Sequence, residues 1–100
     1  MDQKLYPLVK KGFDYETLRD LWRLSRASFG DNPSLYGTLE YIFGSLAEEY
    51  DGQAITIERA KQVNATMQPP VLALLSNAED SPRVLLSRLD EVWRAFRSLK

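Results

Sequence analysis

The sequence predicts an all-α fold. We expect a compact bundle of four helices, or four to six when short pieces are counted, in an antiparallel or orthogonal arrangement. Apolar residues recur at helical spacing along most of the chain. A capping residue precedes three of these apolar stripes, at Asp14, Asn32 and Ser81, and a proline directly follows two of the caps. Because 100 residues is the length of one domain, we expect residues 1–100 to form a single helical domain.

The first long helix is predicted to begin after Asp14, where Phe13 and Leu18 occupy the two positions of a hydrophobic staple. Its apolar stripe consists of Leu18, Leu21, Trp22, Ser25 and Phe29. This spacing places the tryptophan in the core. Gly30 is a suitable residue to end the helix. The first dozen residues are expected to form a short helix ending near Pro7, or a strap across the bundle.

The second helix is predicted to begin with Asn32 and Pro33 and to end at residues 51–52. Its buried stripe is Leu35, Leu39, Ile42, Phe43, Leu46, Ala47 and Tyr50. Gly37 and Gly44 lie seven residues apart, nearly on one line of this helix. Each weakens helix propensity by about 1 kcal/mol relative to alanine. They indicate either a groove that admits another backbone or close packing inside the bundle, and we favour close packing.

The third helix is expected to break at Pro69 and Pro70, because a residue before proline is disfavoured in the α region. Thr56 caps its first part, which carries Ile57, Ala60, Val63, Asn64 and Met67 on one side. A short apolar helix is predicted over residues 71–76 and a loop over residues 77–80. The last helix follows Ser81 and has a wide apolar face: Leu85, Leu86, Leu89, Val92, Trp93, Phe96 and Leu99. That face is wide enough for both a core and a contact with a second copy.

The composition excludes several kinds of chemistry, because the chain contains neither cysteine nor histidine. Without cysteine there is no disulfide framework, so we expect a cytoplasmic protein rather than a small secreted scaffold. No stretch approaches the roughly 18 apolar residues of a membrane span, so no membrane partner is expected. Histidine and cysteine also dominate acid–base, nucleophilic and transition-metal chemistry. We therefore expect no catalysis, no cofactor and no metal site, and an enzyme based on carboxylates is a third interpretation.

Residues 56–77 resemble a degenerate helix-turn-helix, with Ala60 as the small residue of its first helix and Asn64 at the turn. The following helix, residues 71–75, offers no side chain that hydrogen-bonds to base edges. No basic residue lies between Gln62 and Pro82 to contact phosphate. A buried, broken core helix is the preferred interpretation of this segment. A nucleic-acid-associated regulator is the second interpretation of the whole chain.

Charge is unevenly distributed although the net charge is −1. Residues 31–60 contain one basic residue and six acidic ones, whereas residues 1–30 contain six basic and four acidic. Arg19, Arg23 and Arg26 follow one arc of the first long helix, and Tyr41 lies off the apolar stripe of the second. Charged helix faces are often only solvated or paired within the molecule. Arginine and tyrosine are also enriched at protein interfaces.

These observations predict a small, non-catalytic module for protein–protein interaction, such as an adaptor, an assembly factor or a regulatory subunit. The expected partner is another protein or a second copy of the chain. The candidate partner-binding residues are Arg19, Arg23, Arg26 and Tyr41.

Overall fold

The computed structural model describes residues 5–51, 55–76 and 81–99. These segments form five helices: α1 (Leu5–Lys11), α2 (Tyr15–Ser28), α3 (Pro33–Tyr50), α4 (Ile57–Ser76) and α5 (Pro82–Ser98). They contain no β-strand, so the all-α prediction is confirmed. The Cα radius of gyration is 12.6 Å, close to the value of about 13 Å for a compact domain of this length. None of the helices in the described segments is long and apolar enough to span a membrane.

The helices begin where side-chain oxygens cap them, as predicted. Each cap accepts the backbone N–H three residues further on, at 2.7 Å for Asp14, 3.2 Å for Asn32, 3.0 Å for Thr56 and 3.4 Å for Ser81. Such bonds satisfy N–H groups that the first turn of a helix leaves without a partner. Local chemistry therefore sets the start of every helix after α1.

One helix end differs from the sequence expectation. The structure extends α1 to Lys11, so the predicted end near Pro7 is wrong. Pro7 is tolerated because it lies in the first turn, where N–H groups have no partner within the helix. The predicted end of α3 is confirmed at Asp51, its C-terminal cap. Gly52 and the predicted loop at residues 77–80 lie outside the described residues.

The bundle is built on two helix pairs, since α2 packs most extensively on α3, and α4 on α5. The short α1 contacts both α2 and α4, and α5 also contacts α3. The interior is filled by the predicted stripes of α2 and α3 together with the buried side of the other helices. Its largest fully buried side chains are Phe43, Leu5, Leu18, Leu21, Leu39, Ile42, Leu46, Met67, Leu74, Leu75, Val9 and Val63.

The predicted break at Pro69 and Pro70 is wrong, because Ile57–Ser76 is one continuous helix of 20 residues. The buried side keeps helical spacing across the prolines: Val63, Met67, Val71, Leu74 and Leu75. Proline has no N–H, so the carbonyls of Ala65 and Thr66 lose their usual helical partners. Ala65 is exposed and Thr66 is half-buried, which leaves these carbonyls close to water. Burial on one side of α4 and hydration on the other therefore outweigh the local preference against helix.

Trp22 is not in the core, contrary to the prediction, because 46% of it is exposed. The core stripe of α2 runs instead through Leu18, Leu21, Ser25 and Phe29, all buried. Ser25 is accommodated there because its hydroxyl donates to the Leu21 carbonyl at 2.6 Å. Trp22 thus lies at the exposed edge of the stripe.

Two side-chain amides on α4 hold the connection between α1 and α2. Asn64 Oδ1 accepts the Phe13 N–H at 2.7 Å, and Asn64 Nδ2 donates to the Phe13 carbonyl at 3.5 Å. One turn further along, Gln68 Nε2 donates to the carbonyls of Val9 at 2.9 Å and Lys10 at 3.1 Å. These carbonyls lie in the last turn of α1, where a helix leaves C=O groups without partners. We call this pair of residues the amide clamp.

The two glycines of α3 have different surroundings. The Trp22 indole lies beside Gly44, with Nε1 3.7 Å from the position of an added Cβ, so close packing applies there. Gly37 is exposed and has no other atom within 4 Å of that position. A third glycine, Gly12 next to the amide clamp, has a φ of 108° that L-amino acids rarely adopt.

Replacing Asn64 by alanine should lower the free energy of unfolding by about 1–3 kcal/mol, because it leaves the Phe13 N–H without its partner. Urea denaturation measures this loss. Lys61→Ala, an exposed change on the same helix, is the control and should stay within about 0.5 kcal/mol of the parent. Equal stability of the two variants would show that the clamp is not needed.

Gly37→Ala should raise the free energy of unfolding by about 0.5–1 kcal/mol, because alanine has the higher helix propensity and its methyl group meets open space. Gly12→Ala should have the opposite effect, a loss of about 1–2 kcal/mol, because of the positive φ. Thermal unfolding of both variants checks the pair. A destabilised Gly37→Ala protein would contradict the open space that the structure shows there.

Candidate functional site

The exposed side of α2 carries the three predicted arginines around Trp22. Arg19, Trp22, Arg23 and Arg26 are spaced by three, one and three residues, which places them on one arc of the helix. They line an open cleft of about 560 Å³ together with Glu16, Asp20 and Glu40. We call this cleft the arginine cleft. The structure therefore brings the three arginines together, as the sequence predicted.

Each of these arginines already has a partner within the molecule. Arg26 lies 3.2 Å from Glu40 of α3, and its guanidinium stacks 5.0 Å from the centre of the Tyr36 ring. The Arg23 guanidinium is 2.8 Å from Asp20. Arg19 stacks over Tyr15 at 5.6 Å. The side chains of Arg23 and Arg26 remain 72% and 68% exposed, and such exposed ion pairs contribute only about 0–1 kcal/mol each.

Tyr41 does not join the arginines. It lies on the side of α3 that faces α5, about 100° around the helix from Glu40. Its ring centre is 5.9 Å from that of Trp93 and 6.0 Å from that of Phe96. A neighbouring groove of about 360 Å³ is lined by Thr38, Leu86, Leu89, Asp90 and Trp93. The four candidate residues thus lie on two different surfaces of the bundle.

A smaller cavity lies beside the arginine cleft, at the C-terminal end of α3. It has a volume of about 160 Å³ and is lined by Tyr15, Arg19, Trp22, Gly44, Ala47, Glu48 and Asp51. We call it the acidic pocket. Arg19 and Trp22 line both cavities and separate one from the other. We call the surface that contains the two cavities the α2–α3 face.

The sequence did not single out Trp22 or the acidic pocket as functional. The Trp22 indole lies beside Gly44, with Nε1 3.7 Å from the position of an added Cβ, which is an ordinary van der Waals distance. In the sequence, Gly44 indicated close packing at this point of α3. Which residue of another helix packs there depends on the assembled bundle.

Hydrogen bonds shift the pKa of two ionisable groups, Arg59 and Asp14. Arg59 of α4 forms an ion pair with Glu49, and this hydrogen bond raises the pKa of the Arg59 guanidinium. The cap bond from the Thr17 backbone N–H lowers the pKa of Asp14. Glu48 and Asp51, by contrast, form no ion pair within the described segments. The acidic pocket thus retains two carboxylates without a cationic partner there.

The structure does not bear out the helix-turn-helix resemblance of residues 56–77, since α4 contains no turn between residues 57 and 76 and buries one side, as the preferred interpretation of a core helix expected. Asn64, predicted at the turn, lies inside the helix and belongs to the amide clamp. In the described segments, no group of three or more acidic side chains could hold a metal ion. These observations leave the α2–α3 face as the best-defined candidate site.

Comparison of the chain with protein-family models, with curated proteins and with solved structures finds no match. Inference about function therefore depends on the geometry and chemistry of the residues themselves.

Tyr50→Phe should keep or raise stability, by up to about 1 kcal/mol, because it removes a buried hydroxyl without a partner. Tyr50 is 8% exposed, and its Oη finds no hydrogen-bond partner among the described residues. Burial also raises the pKa of Tyr50 above its ordinary value of 10.0. The unfolded chain therefore loses this proton first, and stability should fall as the pH rises above about 10. Urea denaturation at pH 7 and pH 10.5 should show a smaller alkaline loss for Tyr50→Phe than for the parent.

Proposed function

We propose that the chain is a non-catalytic protein-binding module whose partner docks on the α2–α3 face. An adaptor, an assembly factor or a regulatory subunit would work in this way. The observation that carries the proposal is the position of Trp22, which is 46% exposed and lines both cavities of the face. An exposed tryptophan surrounded by arginines is the composition typical of interface hot spots.

Trp22 has the properties of an anchor residue. Tryptophan and arginine are enriched among the residues that dominate binding energy at protein interfaces. One edge of the indole packs on Gly44, which fixes the ring before a partner arrives. Covering the exposed half of a tryptophan removes roughly 100 Å² of surface from water, which contributes about 2 kcal/mol. That contribution is available without any rearrangement of the bundle.

The arginines around Trp22 supply charge complementarity. Their ion pairs with Asp20 and Glu40 are exposed and therefore weak, so carboxylates of a partner can exchange with them. The exchange becomes more favourable as the partner excludes water from the cleft, because the local dielectric constant falls. Charges of this kind set the orientation and the association rate more than the affinity. We infer a partner that places an apolar side chain on Trp22 and acidic side chains around it.

Affinity capture of the tagged protein, with nuclease treatment, should recover a protein partner in stoichiometric amount. Trp22→Ala should reduce the recovery at least tenfold, which corresponds to about 1.4 kcal/mol or more. The double change Arg23→Gln and Arg26→Gln should also reduce it. Leu86→Ala is the matched control, because Leu86 is 58% exposed but lines the groove between α3 and α5.

Melting temperatures within a few degrees of the parent would show that the variants are folded. Equal recovery by Trp22→Ala and the parent would refute the proposed face. Partners that disappear after nuclease treatment would instead support the second interpretation, a nucleic-acid-associated regulator, and steep salt dependence of binding would accompany them.

A further inference from the structure

We infer that the acidic pocket binds the guanidinium group of an arginine side chain from a protein partner. The identity of the donor as a protein rests on the proposed function, whereas the cation-binding chemistry rests on the pocket itself. Three features of the described residues point to this ligand: two carboxylates without an ion-pair partner in the described segments, two aromatic rings and a lining that includes two small residues.

The negative charge comes from side chains and from the helix. Glu48 and Asp51 line the pocket and have no ion-pair partner within the described segments. They lie at the C-terminal end of α3, where the helix dipole is negative, and the last turn of α3 contains no basic residue. This arrangement opposes the usual preference for cations at a helix C-terminus. Residues that reduce the stability of the helix in which they lie are typical of functional sites.

The rings are suited to a planar cation. Tyr15 and Trp22 line the pocket, and the faces of both residue types attract cations. The molecule already shows the contact, because the Arg19 guanidinium stacks 5.6 Å from the centre of the Tyr15 ring. A guanidinium also presents a fork of N–H donors that two carboxylates can accept together. Arg19 therefore marks one wall of the pocket and is also an internal competitor for the same ring.

The size fits one side-chain head group. The pocket has a volume of about 160 Å³, the space of about five water molecules at roughly 30 Å³ each. Gly44 and Ala47 contribute two small residues to its lining. The volume is sufficient for a single guanidinium with the end of its aliphatic chain. The rest of the partner would lie across the arginine cleft, which Trp22 separates from the pocket.

The indole N–H signals of Trp22 and Trp93 in two-dimensional NMR spectra provide the test. The probe is the peptide acetyl-Gly-Arg-Gly-amide, and its citrulline analogue is the control, since citrulline has the same shape without the charge. We expect the arginine peptide to move the Trp22 signal in a saturable manner and to leave the Trp93 signal unchanged. The citrulline peptide should bind at least tenfold more weakly, and raising the salt concentration should weaken arginine binding.

Variants of the pocket test whether binding of the arginine peptide requires the charge of the carboxylates or only the shape of the pocket. The double change Glu48→Gln and Asp51→Asn should weaken binding of the arginine peptide at least tenfold. It should also raise the melting temperature, because it relieves repulsion at the end of α3, so loss of binding cannot come from unfolding. Glu40→Gln is the matched control, since Glu40 lines the arginine cleft and not the pocket, and it should leave affinity unchanged. Arg19→Gln should strengthen binding, because it removes the competitor.

Equal binding of the arginine and citrulline peptides would overturn the inference, and so would undiminished binding by the Glu48 and Asp51 double variant. The outcome is independent of the capture experiment. Peptide binding together with failed capture would refute the protein partner but not the cation pocket. Successful capture that the Glu48 and Asp51 double variant leaves intact would retain the partner and refute the use of the pocket in docking that partner.

Discussion

The amide clamp ties the α1–α2 connection to α4 and so joins the α2–α3 pair to the other half of the bundle. Asn64 and Gln68 occupy successive turns of α4 and bind backbone groups at the start of α2 and the end of α1. Backbone groups at helix ends need partners, and side-chain amides satisfy both donors and acceptors. The candidate binding face is formed by α2 and α3, so the clamp fixes where this face lies relative to α4 and α5.

The sequence predicted those parts of the fold that depend on local chemistry. The caps at Asp14, Asn32, Thr56 and Ser81 act within three residues, and the stripes of α2 and α3 follow from helical periodicity. It failed at Pro69 and Pro70, where the outcome depends on distant packing. The local preference against helix is outweighed there because Met67 and Val71 on either side are fully buried. A single sequence does not reveal which side of a helix the rest of the protein will cover.

In the candidate site, too, the sequence predicted what one helix determines and missed what the packing of several helices determines. The arginine arc follows from spacing within one helix, so it could be predicted. The separation of Tyr41 from the arginines depends on which helix lies on each side of α3, and that is a property of the assembled bundle. Trp22 was assigned to the core because a residue at the edge of an apolar stripe can face inward or outward. The direction depends on how α2 packs against its neighbouring helices, which the periodicity within one helix does not encode.

The hydrogen bonds of the amide clamp join residues that are far apart in the sequence, and this separation affects the order in which the helices assemble. Phe13 and Asn64 are 51 residues apart, whereas α2 ends at Ser28 and α3 begins at Pro33. Closing a long loop costs more entropy than closing a short one, and distant contacts tend to form later. We therefore expect α2 and α3 to pair early and α1 to dock last. A chain that stalls before this final step would leave the α1-binding side of α4 uncovered, and that side is where misassembly between chains would begin.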